Sequence, residues 1–106
     1  MRALATSGGK RSVILPEVPT ISEAGVPGYE TANWWDVAAP RGTPVQIIRR
    51  LNEDIKAVLL MPDTEKRLIN EGAEPAIKTP DELGKYVADE MAKWVRVATI
   101  AGIRGE

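Results

Sequence analysis

Two Thr-Pro dipeptides set most of what this chain can become. Thr43-Pro44-Val45-Gln46 and Thr79-Pro80-Asp81-Glu82 each offer a threonine N-cap, a proline at the first helical position and a Gln or Glu at the third. The hydroxyl accepts an orphan amide, the locked φ of proline suits a first turn, and the third side chain reaches back to the cap. Behind the first start, Ile47, Ile48, Leu51, Ile55, Val58 and Leu59 recur at steps of three and four, which predicts an amphipathic helix over 44–60. Pro62 ends it and opens a shorter helix with Leu68 and Ile69 inward, closed by Gly72. Behind the second start, Leu83, Val87, Met91, Trp94, Ala98 and Ala101 line one face of a helix over 80–101. Gly102-Ile103 fits a Schellman stop, an αL glycine followed by an apolar contact.

The first forty residues read differently. Arg2-Ala-Leu-Ala-Thr6 predicts a short strand, followed by a polar loop over 7–12. Pro16 and Pro19 hold an extended stretch, because residues before proline are pushed away from the α region. Thr20-Ile21-Ser22-Glu23 is a capping box for a short helix that Gly25 stops. Residues 33–39 predict a strand before Pro40, and Ala76-Ile77 a minimal edge strand. A strand at the very start of the chain suggests a C-terminal fragment of a longer fold. The fold class is therefore α/β and helix-rich: two long amphipathic helices plus short strands.

Composition excludes more than it selects. At 106 residues the chain is one domain or part of one. Its formal charge of −1 lacks the basic excess of a nucleic-acid binder. It contains neither Cys nor His, which removes disulfides, thiolate metal sites, the commonest general base and the usual triads. Asp36, Glu53, Asp54, Asp81, Glu82, Asp89 and Glu90 are the candidate carboxylates, and solvated surface charge accounts for all but Asp36 without further argument. Without His or Cys, catalysis by this chain alone is not expected, so the expectation is a non-enzyme.

Trp34, Trp35 and Asp36 are the candidate ligand-binding residues. On a strand the two indoles point to opposite faces, one into the core and the other into a cleft or an interface. Asp36 beside them is either a half-buried functional acid or a solvated one. Trp94 is expected in the core. Gly8-Gly9 with Lys10-Arg11 lacks the full phosphate-loop pattern and reads as a solvated loop.

The order of the pieces is more specific than any one of them. Lys10-Arg11-Ser12, Leu15-Pro16-Glu17-Val18-Pro19-Thr20-Ile21-Ser22-Glu23-Ala24-Gly25 and Pro27-Gly28-Tyr29-Glu30 form one run. Ala39-Pro40-Arg41-Gly42-Thr43-Pro44, Arg50-Leu51-Asn52, Gly72-Ala73-Glu74-Pro75, Glu90-Met91-Ala92-Lys93-Trp94 and Ala101-Gly102-Ile103 follow. Together they resemble the C-terminal portion of the Bug family, the TctC-like extracytoplasmic solute receptors of tripartite tricarboxylate transporters. The resemblance implies a type II periplasmic-binding-protein fold in which two α/β lobes close on a small carboxylated solute. It also implies a periplasmic location, delivery of the solute to membrane permease subunits, and no cofactor. Residues 1–32 resemble a late strand, loop and short helix of the receptor. Residues 33–106 resemble the returning hinge strand and the C-terminal helices that complete the first lobe. The family's main ligand loops lie mostly in the part that this chain lacks.

Trp35 matches a family aromatic position near the hinge, with Trp34 beside it. Where Asp36 sits, the family more often has a small or apolar residue; where Met61 sits, it often has a capping Asp. Helices that have lost their sheet need another cover, so a homodimer or domain-swapped assembly is expected. The rival reading is a truncated, non-catalytic module that folds and self-associates without binding solute.

Overall fold

The helices form where their start and stop signals stand. In the computed structural model, which describes residues 2–103, α1 is Val45–Leu59, α2 is Pro62–Asn70 and α3 is Pro80–Ile100. The capping box of α3 is complete: Thr79 Oγ1 accepts the Glu82 N–H at 3.2 Å, and Glu82 Oε2 accepts the Thr79 N–H at 2.8 Å. At its other end the Gly102 N–H bonds Thr99 O at 3.2 Å and the Ile103 N–H bonds Ala98 O at 2.9 Å, the Schellman pair, with Gly102 at φ +70°. The same pair closes α2 at Gly72 and Ala73.

The start of α1 departs from expectation. Pro44, with ψ 136°, is itself the N-cap, and no side chain caps the helix. The Thr43 hydroxyl is taken up elsewhere, donating to Pro40 O at 2.7 Å and tightening the turn at Gly42. Met61 likewise gives α2 no side-chain cap.

Residues 6–31 are tied into a knot of backbone and side-chain bonds. The Thr6 N–H bonds Pro19 O and the Ile21 N–H bonds Thr6 O, both at 2.8 Å, making a single parallel bridge between Thr6 and Thr20. Glu23 Oε2 accepts the Thr20 N–H at 2.8 Å, and Thr20 Oγ1 accepts the Glu23 N–H at 3.1 Å. Arg11 Nε donates to the same carboxylate at 2.9 Å and its Nη1 to Pro16 O at 3.3 Å. The capping box is present, but it opens only a turn, bounded by Gly25 at φ +124°.

No strand forms among the described residues. The expected strands over 2–6, 33–39 and 76–77 are corrected for one reason: a strand is defined by a ladder, and among the described residues 2–6 makes only the single Thr6–Thr20 bridge while 33–39 and 76–77 pair with nothing. Residues 29–40 nonetheless run without a turn or bend.

α1 touches both α2 and α3. Its half-buried stripe is Ile48, Asn52, Ile55 and Leu59, and Asn52 Nδ2 donates to Lys78 O at 2.9 Å, tying α1 to the approach of α3. Leu68, Ile69, Leu83, Val87 and Ala98 are half-buried; Ile47, Leu51, Val58, Met91, Trp94 and Ala101, also expected inward, are exposed. Val18 and Thr20 are the only buried residues among those described. The accessible surface is 9170 Å², against about 5,800 Å² for a compact monomer of this mass. The radius of gyration is 17.0 Å, where a compact chain of this length has about 13 Å. The described residues thus enclose almost no interior of their own. No helix among the described residues is long and apolar enough to cross a membrane.

Candidate functional site

The 29–40 segment brings two indoles to α3, which supplies a third. Thr31 is anchored by its N–H to Ser7 O at 2.9 Å. Beyond it, the Trp34 ring meets Tyr86 of α3 edge-on, with centroids 5.6 Å apart and planes at 78°. Lys78 Nζ lies 5.1 Å from the Tyr86 centroid on the approach to α3. Trp94, two turns further along α3, is set by Glu90 one turn before it and by its neighbour Lys93: its Nε1–H donates to Glu90 Oε2 at 3.1 Å, and Lys93, ion-paired with Glu90, lies 5.5 Å from its ring centroid. Glu90, Lys93 and Trp94 meet because steps of three and four share a helix face.

An open groove of about 470 Å³ results, lined by Thr31, Ala32, Asn33, Trp34, Trp35 and Trp94. Trp34 and Trp35 line the same groove rather than opposite faces, since no ladder imposes strand alternation. Trp35 is 82% exposed and Trp34 39%. Trp94, expected in the core, is 49% exposed and forms the far wall. Asp36 is exposed and lies outside the lining. The lining carries no ionisable side chain, so its recognition rests on π-faces, one amide, one hydroxyl and the backbone. Among the described residues, the backbone groups of 32–39 make no hydrogen bond within the chain and remain on offer.

Glu90 is the titrating hinge of this wall. The Lys93 hydrogen bond holds its carboxyl below the ordinary 4.5; desolvation pushes it up by less than that bond lowers it, and the Trp94 indole adds a weaker downward pull. A lowered folded value stabilises the arrangement above 4.5 and loses that contribution as pH falls through the folded value. Acidification below 4.5 is therefore expected to release Trp94 and shift its fluorescence. Glu90→Gln should remove that transition; an unchanged transition in the variant would refute the assignment.

The glycine loop is not an anion cradle. The Glu30 carboxyl packs against Gly9 so closely that a Cβ there would lie 2.7 Å from Glu30 Cδ. Lys10 pairs with Glu74 at 2.7 Å and Arg11 with Glu23 at 2.9 Å, so both cations are engaged. Among the described residues no three His, Cys, Asp or Glu side chains gather to hold a metal.

Comparison with known proteins gives this arrangement a context. Residues 1–103 match the profile of the tripartite tricarboxylate transporter family receptor. The chain belongs to that family. It is 36% identical over 104 residues to Protein BugT of Bordetella pertussis, covering 98% of this chain and 32% of the relative. It is 38% identical over 98 residues to a UPF0065 protein in the tcbD-tcbE intergenic region of Pseudomonas sp. strain P51, covering 92% and 29%. Among solved structures it superposes on R. palustris Rpa4515 with adipate at a TM-score of 0.82 and 45% identity, over 93% of this chain and 33% of that one. The periplasmic binding protein BugD superposes at 0.83 with 30% identity, over 96% and 35%. The chain thus spans about a third of the length of the relatives it matches. The family is one of solute receptors, not of enzymes.

Proposed function

We propose that this chain forms part of an extracytoplasmic receptor that captures a small carboxylated solute in the periplasm and presents it to the membrane permease subunits of a tripartite tricarboxylate transporter. The reading rests on the family match and on the indole groove. Trp35 and Trp34 supply apolar faces for the body of the solute, and backbone amides facing the cleft supply donors for a carboxylate, which needs no charged partner when N–H groups converge on it. Asp36, outside the lining, is assigned to the rim. Residues 1–32 are assigned to a late strand, loop and turn of the receptor, and 33–106 to the hinge strand and the helices completing one lobe. Adipate, held by the relative Rpa4515, sets the first class to try: a linear dicarboxylate with an apolar middle.

Titration calorimetry with adipate, shorter dicarboxylates and aromatic acids tests the reading. Binding is expected, weakened about tenfold or more by Trp35→Ala through loss of the stacking face. Silence across the panel would sink it and favour the rival, a non-catalytic module that associates without binding solute. The large uncovered apolar surface favours association of some kind under either reading.

A further inference from the structure

The Gly8-Gly9-Lys10 loop, no anion cradle, is tied to both sides of the tryptophan groove. On one side it holds the chain that leads into the lining. Ser7 O accepts the Thr31 N–H at 2.9 Å, and the Glu30 carboxyl packs on Gly9, where a Cβ would lie 2.7 Å from Glu30 Cδ. Among the described residues the backbone groups of 32–39 make no hydrogen bond within the chain, so Thr31 is the last fixed point before Ala32, Asn33 and the two indoles. On the other side Lys10 Nζ meets Glu74 at 2.7 Å. Glu74 stands four residues before Lys78, whose carbonyl Asn52 ties to α1 and which leads into the cap of α3, the helix that supplies the Trp94 wall. Val13, three residues beyond Lys10, shares an open recess of about 320 Å³ with Leu59, Leu60, Ile69 and Glu74 itself. Among the described residues, Lys10–Glu74 is the one ion pair or hydrogen bond that joins residues 2–31 to residues 44–103.

We propose that Lys10 and Glu74 are positioning residues of the groove: their ion pair draws residues 7–10 taut and so sets how far the wall at 31–33 stands from Trp94. Neither residue lines the groove; they act on it through Ser7 and Thr31. Apolar contact alone would hold the loop poorly, since Val13 in its recess is still 59% exposed. The pair is itself exposed, 80% at the Lys10 side chain and 38% at Glu74. An exposed pair moves an equilibrium by a factor of about five at most, so this one restrains the wall without locking it. That the groove seats a solute rests on the function proposed above; the coupling from Glu74 to Thr31 does not.

Hydrogen exchange at the Thr31 amide, with no solute present, tests the coupling. Lys10→Glu sets two carboxylates against each other and is expected to open the Thr31–Ser7 bond about five times more often than in the unaltered chain, with a shift in tryptophan emission. Combining Lys10→Glu with Glu74→Lys restores the attraction with its polarity reversed and should restore both readings. A role in packing alone would leave the double variant as open as the single one. Salt at about 1 M, where the screening length falls to about 3 Å, should narrow the gap between Lys10→Glu and the unaltered chain. Thr31 exchange in Lys10→Glu equal to that of the unaltered chain would overturn the proposal, and so would a double variant that stays open. Calorimetry with adipate then reads the consequence for the site: binding about two- to fivefold weaker in Lys10→Glu and regained in the double variant. Silence of the unaltered chain toward adipate and the rest of the solute panel would count against the proposed function, while the exchange result still decides the positioning role.

Discussion

Thr20→Val is expected to loosen the whole 6–31 segment while leaving the three helices intact. Thr20 is 3% exposed, and its hydroxyl is the acceptor that holds the Glu23 N–H at 3.1 Å. Valine fills the same space and cannot accept. The loss is that of an N-cap, about 1–2 kcal/mol, or a factor of about 5–30 in local opening. The effect spreads because the cap is one side of a square. Glu23 takes the Thr20 N–H with its other face and is held in place by Arg11, while the backbone of residues 19–21 carries the bridge to Thr6. Amide exchange reads this directly: the Thr6 and Ile21 N–H groups, bonded to Pro19 O and Thr6 O, should open about 5–30 times more often. Unchanged exchange at both would mean that the bridge stands on proline-restricted backbone alone.

The capping box inside that knot, and the three helices, were legible in the sequence because their signals are local; the Thr6–Thr20 bridge and the Arg11–Glu23 pair join residues 12 to 14 apart and were not. Thr79-Pro80-Asp81-Glu82 and Thr20-Ile21-Ser22-Glu23 each complete a box within four residues, and Gly72 and Gly102 each close a helix within six. Thr43 misled because its hydroxyl had two local partners to choose from, and Pro40 O won over the α1 amides. The strands misled for a different reason. Alternation and proline punctuation specify an extended backbone, and residues 29–40 do run without a turn or bend, but a ladder needs a partner, and no spacing within this sequence states whether one is present.

The site was half legible. Trp34 and Trp35 were visible as candidates, but their shared groove depends on Tyr86 turning the Trp34 ring and on Glu90 and Lys93 holding Trp94 as a wall. The Glu90-x-x-Lys93-Trp94 spacing was available as a signal that these side chains share one helix face. Its burial was not, because a face reads as core whenever it is apolar, whether the covering layer comes from the same residues or from elsewhere. Asp36 was weighed as a strand neighbour of the indoles; without strand geometry, adjacency in sequence does not bring it into the groove.

Asn52 carries the other large effect, because it ties together two elements that share little else. Its Nδ2 donates to Lys78 O at 2.9 Å across 26 residues of sequence, from the middle of the inner α1 stripe. Asn52→Leu keeps the bulk and abandons the carbonyl, and a partly buried carbonyl left without a donor costs about 1–3 kcal/mol. Asn52→Asp is expected to be the more damaging of the two at neutral pH, since it turns a donor into a second acceptor facing the same oxygen. The order of the variants separates a hydrogen-bond role from packing: a purely steric role would make Leu the worse. Lys78 also leads into Thr79, whose cap starts α3, and its Nζ lies over Tyr86, against which Trp34 rests. A lost tie at Lys78 should therefore reach the groove. Lower urea midpoints for both variants, Asp below Leu, together with a shift in tryptophan emission, are the expected results. An unmoved midpoint in Asn52→Asp would show that α1 and α3 are positioned by their apolar contacts alone.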